Sequence, residues 1–195
     1  MYVHTIISND EGAEPKIRQS QIDETLFVRI GEDDCDAFAE LYNLTERAVY
    51  ALVLSILRDP DITQDVVQET YLKIRSASHL YKPQGKPLAW IFTISKNLAY
   101  SMLRKNKEHL AYEGELLEDS IQCSYIDDPV DRVVLVAALT ILREEERQIV
   151  LLHIVSGMTH REIAKIFELP LSTVLSRYHR ALKKLRKYLT QKEGF

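Results

Sequence analysis

Apolar residues recur along this chain at three- and four-residue spacing, the period of one helix face, and nowhere alternate over a length that would make a half-buried strand. The pattern predicts an all-α protein. Leu41, Leu44, Ala48, Ala51, Leu52, Ser55 and Ile56 form one stripe, preceded by acids from Glu32 to Asp36 that could cap a helix start. Asp59-Pro60-Asp61 ends that helix, because proline lacks an amide donor and disfavours helical geometry before it. A second helix is expected over roughly Thr63 to Ser76, capped by Asp61 or Thr63. It turns Val67, Tyr71 and Ile74 inward and Asp65, Gln68, Glu69 and Lys73 outward. After a break at Pro83, Gly85 and Pro87, a long helix is expected from Leu88 to about Lys107. Its inner stripe is Leu88, Ile91, Phe92, Ser95, Leu98, Ala99 and Met102; its outer stripe carries Thr93, Lys96, Tyr100, Arg104 and Lys107.

Between Ala111 and Asp131 the chain has seven acids and neither Lys nor Arg, a poor core former that reads as a tether, with Pro129 at the entry to a second helical region. The pattern therefore divides the chain into a tail (1–21), a helical domain (22–110), an acidic linker (111–130) and a second helical domain (131–195). In the last of these, Thr159-His160-Arg161-Glu162 has the form of a capping box, followed at helical spacing by Ile163, Ala164 and Phe167. A turn ends near Leu169-Pro170. A further helix from about Leu171 then places Val174, Tyr178, Ala181, Leu182, Leu185 and Leu189 inward and Thr173, Arg177, Arg180, Lys184 and Lys187 outward.

Composition first argues against a nucleic-acid partner, since the formal net charge is −4. The distribution reverses that reading. Residues 1–36 carry −6 and residues 111–131 carry −7, whereas residues 37–110 carry +3 and residues 160–195 carry +6. The acids lie in the tail and tether, the cations in the helical segments. A hydrophobic content of 46% is enough for two cores and excludes a disordered chain. Cys35 and Cys123 are too few for a disulfide framework, and neither they nor the six histidines (His4, His79, His109, His153, His160, His179) show metal-ligand spacing. No metal and no cofactor is expected. His179 falls in the last helix, where it could touch DNA; the other histidines read as incidental. The tail has acids where a secretion signal has positive charge, and no apolar run approaches the roughly 20 residues needed to span a bilayer. A cytoplasmic protein without membrane insertion is expected.

Two short helices joined tightly, the second basic on its outer face, suit a helix-turn-helix: the second helix fits the major groove while cations meet phosphates. The run from Leu142 through Glu144-Glu145-Glu146-Arg147, Ser156-Gly157-Met158-Thr159, Leu169-Pro170 and Ser172 to Leu185 resembles region 4 of the extracytoplasmic-function sigma factors, small two-domain members of the sigma-70 family. The other half of the chain resembles region 2 of the same family. Asp65-Val-Val-Gln-Glu-Thr-Tyr-Leu-Lys-Ile is similar to the segment that docks on the polymerase, and Ala89-Trp90 through Tyr100 to Leu103-Arg104-Lys105 is similar to the helix that opens and reads the minus-ten element.

The resemblance implies a promoter-specificity subunit of bacterial RNA polymerase without catalytic chemistry of its own. It implies core RNA polymerase as partner through the beta-prime clamp helices and the beta flap, promoter DNA, and an anti-sigma factor. Carried onto this sequence, it assigns polymerase binding to Asp65, Gln68 and Glu69. Minus-ten contacts fall to Lys96, Asn97, Tyr100, Arg104 and Lys105, with a flipped-base pocket in the Tyr81 to Pro87 loop. Minus-thirty-five contacts fall to Ser172, Thr173, Ser176, Arg177, His179 and Arg180. By side-chain type, Ile91 and Phe92 are core.

The sequence departs from the family's usual residues at Arg143 (commonly proline), Glu168 (commonly glycine in the turn), Leu175 and Leu182 (commonly cations) and His153 (commonly an arginine). Two competing readings remain at this point. One is a helix-turn-helix regulator that acts without being a polymerase subunit; the other is a helical nuclease with carboxylate-bound metal.

Overall fold

The computed structural model describes residues 22–83, 86–105 and 129–192, and those residues are helical without a strand among them. They divide into two compact units. The acids expected to form the tether from 111 to 128, and the tail 1–21, lie outside the described residues; Pro129 and Val130, read from sequence as the end of the tether, open a helix.

The first unit holds α1 (Thr25–Gly31), α2 (Cys35–Leu57), α3 (Pro60–Ala77), a 3-10 turn (Ser78–Leu80) and α4 (Pro87–Lys105). Asp34, one of the acids expected to cap, accepts from the amides of Asp36 and Ala37 at 2.9 and 3.0 Å and starts α2. From Ala48 to Leu57 every residue of α2 is buried, so this second half of the helix is enclosed on all sides, while its first half keeps an exposed face that includes Leu44. Arg58 leaves α2 in the left-handed region (φ 59°), and the next helix starts at once: Asp59 accepts from the Ile62 amide at 3.0 Å with Pro60 at the first helical position. The expected start at Thr63 with Asp61 or Thr63 as cap is thus corrected. Proline's missing amide and fixed φ are tolerated at the first helical position, so Pro60 belongs inside α3. Helix α1 was not expected at all. Its seven residues bury Leu26, Phe27 and Ile30 against the bundle.

The second unit holds α5 (Pro129–Ile141), α6 (Glu144–Ser156), α7 (His160–Ile166) and α8 (Leu171–Lys192). Arg143 precedes α6 with φ −65°, the value at which proline is fixed and which arginine adopts without strain. Gly157 closes α6 in the left-handed region (φ 69°), where a side chain would be strained. The capping box forms as expected. Thr159 Oγ1 accepts from the Glu162 amide at 3.3 Å, and Glu162 Oε2 accepts from the Thr159 amide at 2.8 Å. Glu168 carries the turn into α8 with φ 54°, the backbone geometry for which the family's glycine is suited.

Candidate nucleic-acid interface

Helix α3 buries Val66, Val67, Thr70, Tyr71 and Ile74, which leaves Asp65, Gln68 and Glu69 exposed on its opposite face. Leu72 stands at the following turn of that face with 67% of its surface exposed. A single exposed leucine is ordinary on a protein surface, so Leu72 gains meaning only from the polar residues that share its face. Sequence reasoning passed over it because the helical pattern could not distinguish an outward leucine from a core one.

Helix α4 turns Leu88, Ile91, Phe92, Ser95 and Ala99 into the core, so Ile91 and Phe92 are core residues as expected. Asn97, Tyr100, Arg104 and Lys105 are exposed and Lys96 is half-buried. Asn97, Tyr100, Leu103 and Arg104 line one surface groove, which places an amide, an aromatic ring and a guanidinium on one helix face over two turns. At the other end of α4, Trp90 meets Phe27 of α1 edge-on at 5.4 Å and Tyr81 at 5.3 Å, while Phe27 and Tyr81 stack at 4.1 Å. This triad fixes the start of the Tyr81 loop. Phe27 was missed from sequence because α1 itself was missed.

On α8, Ser172, Ser176, His179 and Arg180 are exposed and Thr173 is half-buried. Lys183, not singled out from sequence, is exposed one turn beyond His179 and Arg180 and continues the same face. Two cations read as outward turn back onto α6. Arg177, 24% exposed at its side chain, reaches Glu145 at 3.0 Å. Lys184, one heptad later, donates to both carboxylate oxygens of Glu146 at 2.7 and 2.9 Å. The Glu146 side chain is only 8% exposed, which makes this the more structural of the two pairs.

The histidines read as incidental are not all so. His153 of α6 and His160 of α7 stack with ring centroids 4.6 Å apart, and Tyr178 of α8 meets them edge-on at 5.2 and 4.4 Å. His153 Nδ1 lies 2.8 Å from the Met158 carbonyl, an acceptor only, so that nitrogen carries the proton. His160 Nε2 is buried with no hydrogen-bond partner. Burial, and then the neighbouring His153 and His179, push the His160 imidazole down to about 4. Burial also lowers His153, partly offset by the Met158 carbonyl, and raises Tyr178 to about 12. The three rings are uncharged near neutral pH. At His153 the structure thus places a ring inside the joint of α6, α7 and α8, where the family's arginine would be a charge.

Residues 41–109 match the family model for Sigma-70 region 2, and residues 132–185 match that for Sigma-70, region 4. The ECF RNA polymerase sigma factor SigK of Mycobacterium ulcerans is 33% identical over 172 residues, covering 84% of this chain and 91% of the relative. The chain belongs to the extracytoplasmic-function sigma factors of the sigma-70 family. SigK of Mycobacterium bovis is 31% identical over 175 residues, covering 85% of this sigma factor and 92% of the relative. Among solved structures, the sigma factor RpoE of Bartonella quintana, in complex with the anti-sigma factor NepR, matches with TM-score 0.56 at 26% identity over 78% of this chain and 96% of that one. CnrH, in complex with the cytosolic domain of CnrY, shares the fold (TM-score 0.61, 20% identity, 87% of this chain and 98% of that one). The region 2 match disfavours a regulator built on a helix-turn-helix alone. This sigma factor directs RNA polymerase to promoters. Among the described residues no helix is long and apolar enough to cross a membrane.

Proposed function

We propose that this sigma factor divides its labour between its two units, the N-terminal one docking on core polymerase and opening the minus-ten element, the C-terminal one holding the minus-thirty-five element. The observation that carries this reading is the presence of regions 2 and 4, in that order, in one chain. Asp65, Gln68 and Glu69 form the docking face toward the beta-prime clamp helices, with exposed Leu72 one turn further on the same face. Asn97 and Tyr100 offer an amide and a ring to an unstacked base, while Lys96, Arg104 and Lys105 meet its phosphates. Taking a base out of the stack costs a few kcal/mol, which such contacts offset. Ser172, Thr173, Ser176, His179 and Arg180 sit on the first turns of α8, from which a recognition helix reaches base edges and backbone.

The C-terminal unit also meets the beta flap in this reading, and an anti-sigma factor covers the docking surfaces. Phosphodiester synthesis belongs to the polymerase, and the protein acts in the cytoplasm, where its polymerase is. Charge reversal at Asp65 or Glu69 is expected to abolish association with core polymerase and promoter-dependent transcription while leaving thermal stability unchanged, since both side chains are exposed. Undiminished polymerase binding by the reversed variants would overturn the docking assignment.

A further inference from the structure

Arg177 lies between Ser176 and Arg180 on the helix assigned to the minus-thirty-five element, yet its guanidinium is engaged by a carboxylate of its own chain. Glu145 Oε2 stands 3.0 Å from Arg177 Nη2, and the Glu145 side chain is 69% exposed. A guanidinium binds carboxylate and phosphate by the same fork of donors. Glu145 therefore offers Arg177 what a DNA phosphate would offer.

We propose that Glu145 is an intramolecular stand-in for phosphate that limits the affinity of this sigma factor for duplex DNA. The inference rests on the assignment of the α8 face to DNA. A duplex approaching that face must either displace Glu145 from Arg177 or bring a phosphate against an exposed carboxylate. Either route weakens binding without touching a base. The neighbouring pair has a different place: Glu146, nearly enclosed, binds Lys184 through both oxygens and joins α6 to α8. Glu145 is thus the acid of this turn that can be removed with the helix junction intact.

The test measures binding of full-length protein to a pool of random-sequence duplexes over a range of salt, comparing wild type with Glu145→Gln, Arg177→Ala, the two combined, and Arg180→Ala. The Glu145→Gln variant is expected to bind about two- to five-fold tighter at low salt, the range that an exposed ion pair is worth. The plot of log affinity against log salt should steepen by about one, as Arg177 gains a phosphate. Both gains should vanish when Arg177 is alanine. A Glu145→Gln variant that binds as wild type or more weakly overturns the proposal, as does an equal gain without Arg177, which would report net charge alone. Arg180→Ala distinguishes the underlying assignment: if it leaves affinity unchanged, the α8 face is not the DNA face and the reading beneath the proposal fails; if it weakens binding while Glu145→Gln has no effect, only the proposal fails. Unchanged thermal melting of Glu145→Gln shows that the comparison is between folded proteins.

Discussion

The ring cluster of His153, His160 and Tyr178 makes the C-terminal unit sensitive to acid, with a definite sign. His160 has its proton affinity lowered from the ordinary 6.5 to about 4. In the unfolded chain the same ring protonates near 6.5, so between these values the unfolded state binds more protons than the folded one. Stability is therefore complete above pH 6.5 and falls as the pH drops toward 4. At about 1.4 kcal/mol per pH unit of separation, the ceiling is roughly 3.4 kcal/mol. The His160 ring is partly open to solvent, and screening reduces this to about 1–2 kcal/mol. His153, lowered in the same direction, adds to the effect. For a unit of this size 1–2 kcal/mol corresponds to a fall of about 5–10 °C in the melting of α6, α7 and α8. The perturbation is His160→Phe, which keeps an aromatic ring against His153 and Tyr178 but takes up no proton. Thermal melts followed by NMR on resonances of the three helices, at pH 7 and pH 4.5, should show a smaller acid loss in the variant than in wild type. Titration of the His160 ring should fall well below that of an exposed histidine. Equal pH dependence in the two proteins, or a His160 titrating near 6.5, would refute the reasoning.

Lys184→Met leaves the Glu146 carboxylate, nearly enclosed, without its cation. A loss of about 1–2 kcal/mol in urea unfolding is expected, reduced from the cost of a fully buried pair because Lys184 is itself 42% exposed, and replacing Glu146 by Gln in addition should restore part of it. Glu168→Gly removes a side chain from a left-handed backbone position and should raise stability by about 0.5–1 kcal/mol, measured by thermal melting. Arg180→Ala should weaken binding of a promoter duplex and lower its salt dependence by about one phosphate equivalent, while co-purification with core polymerase is unaffected.

The long helices were legible because burial writes itself into spacing: Leu88 through Ala99 read directly as α4, the Leu41 to Ile56 stripe placed α2 although Leu44 is 37% exposed and residues 48–57 are buried on every face, and the capping box at Thr159 stands where its four letters placed it. Helix α1 was not legible. Seven residues hold too few turns for a period to emerge, and its place is set by what Phe27 touches in Tyr81 and Trp90, far off in sequence. The same limit governs the site. Exposure on a helix face could be read for Asp65 or Arg180, but the diversion of Arg177 and Lys184 to Glu145 and Glu146 depends on how α6 crosses α8. The buried Arg147 is a further case: nothing in its spacing marks it as buried, yet it is 1% exposed and donates to the Leu142 carbonyl at 2.9 Å.

Helix α7 spans only seven residues and is bracketed by left-handed corners at Gly157 and Glu168. A helix that short has no stability in water on its own, since nucleation alone outweighs the few hydrogen bonds it makes. It persists because Ile163 and Ala164 are buried and because His160 is gripped between α6 and α8. Its backbone amides should accordingly exchange with deuterium through the same opening event that releases α6 and α8, not by separate fraying. The helix-turn-helix is then a single cooperative unit: a partner that pries α8 away dismantles the whole element, and no half-assembled reader is left behind.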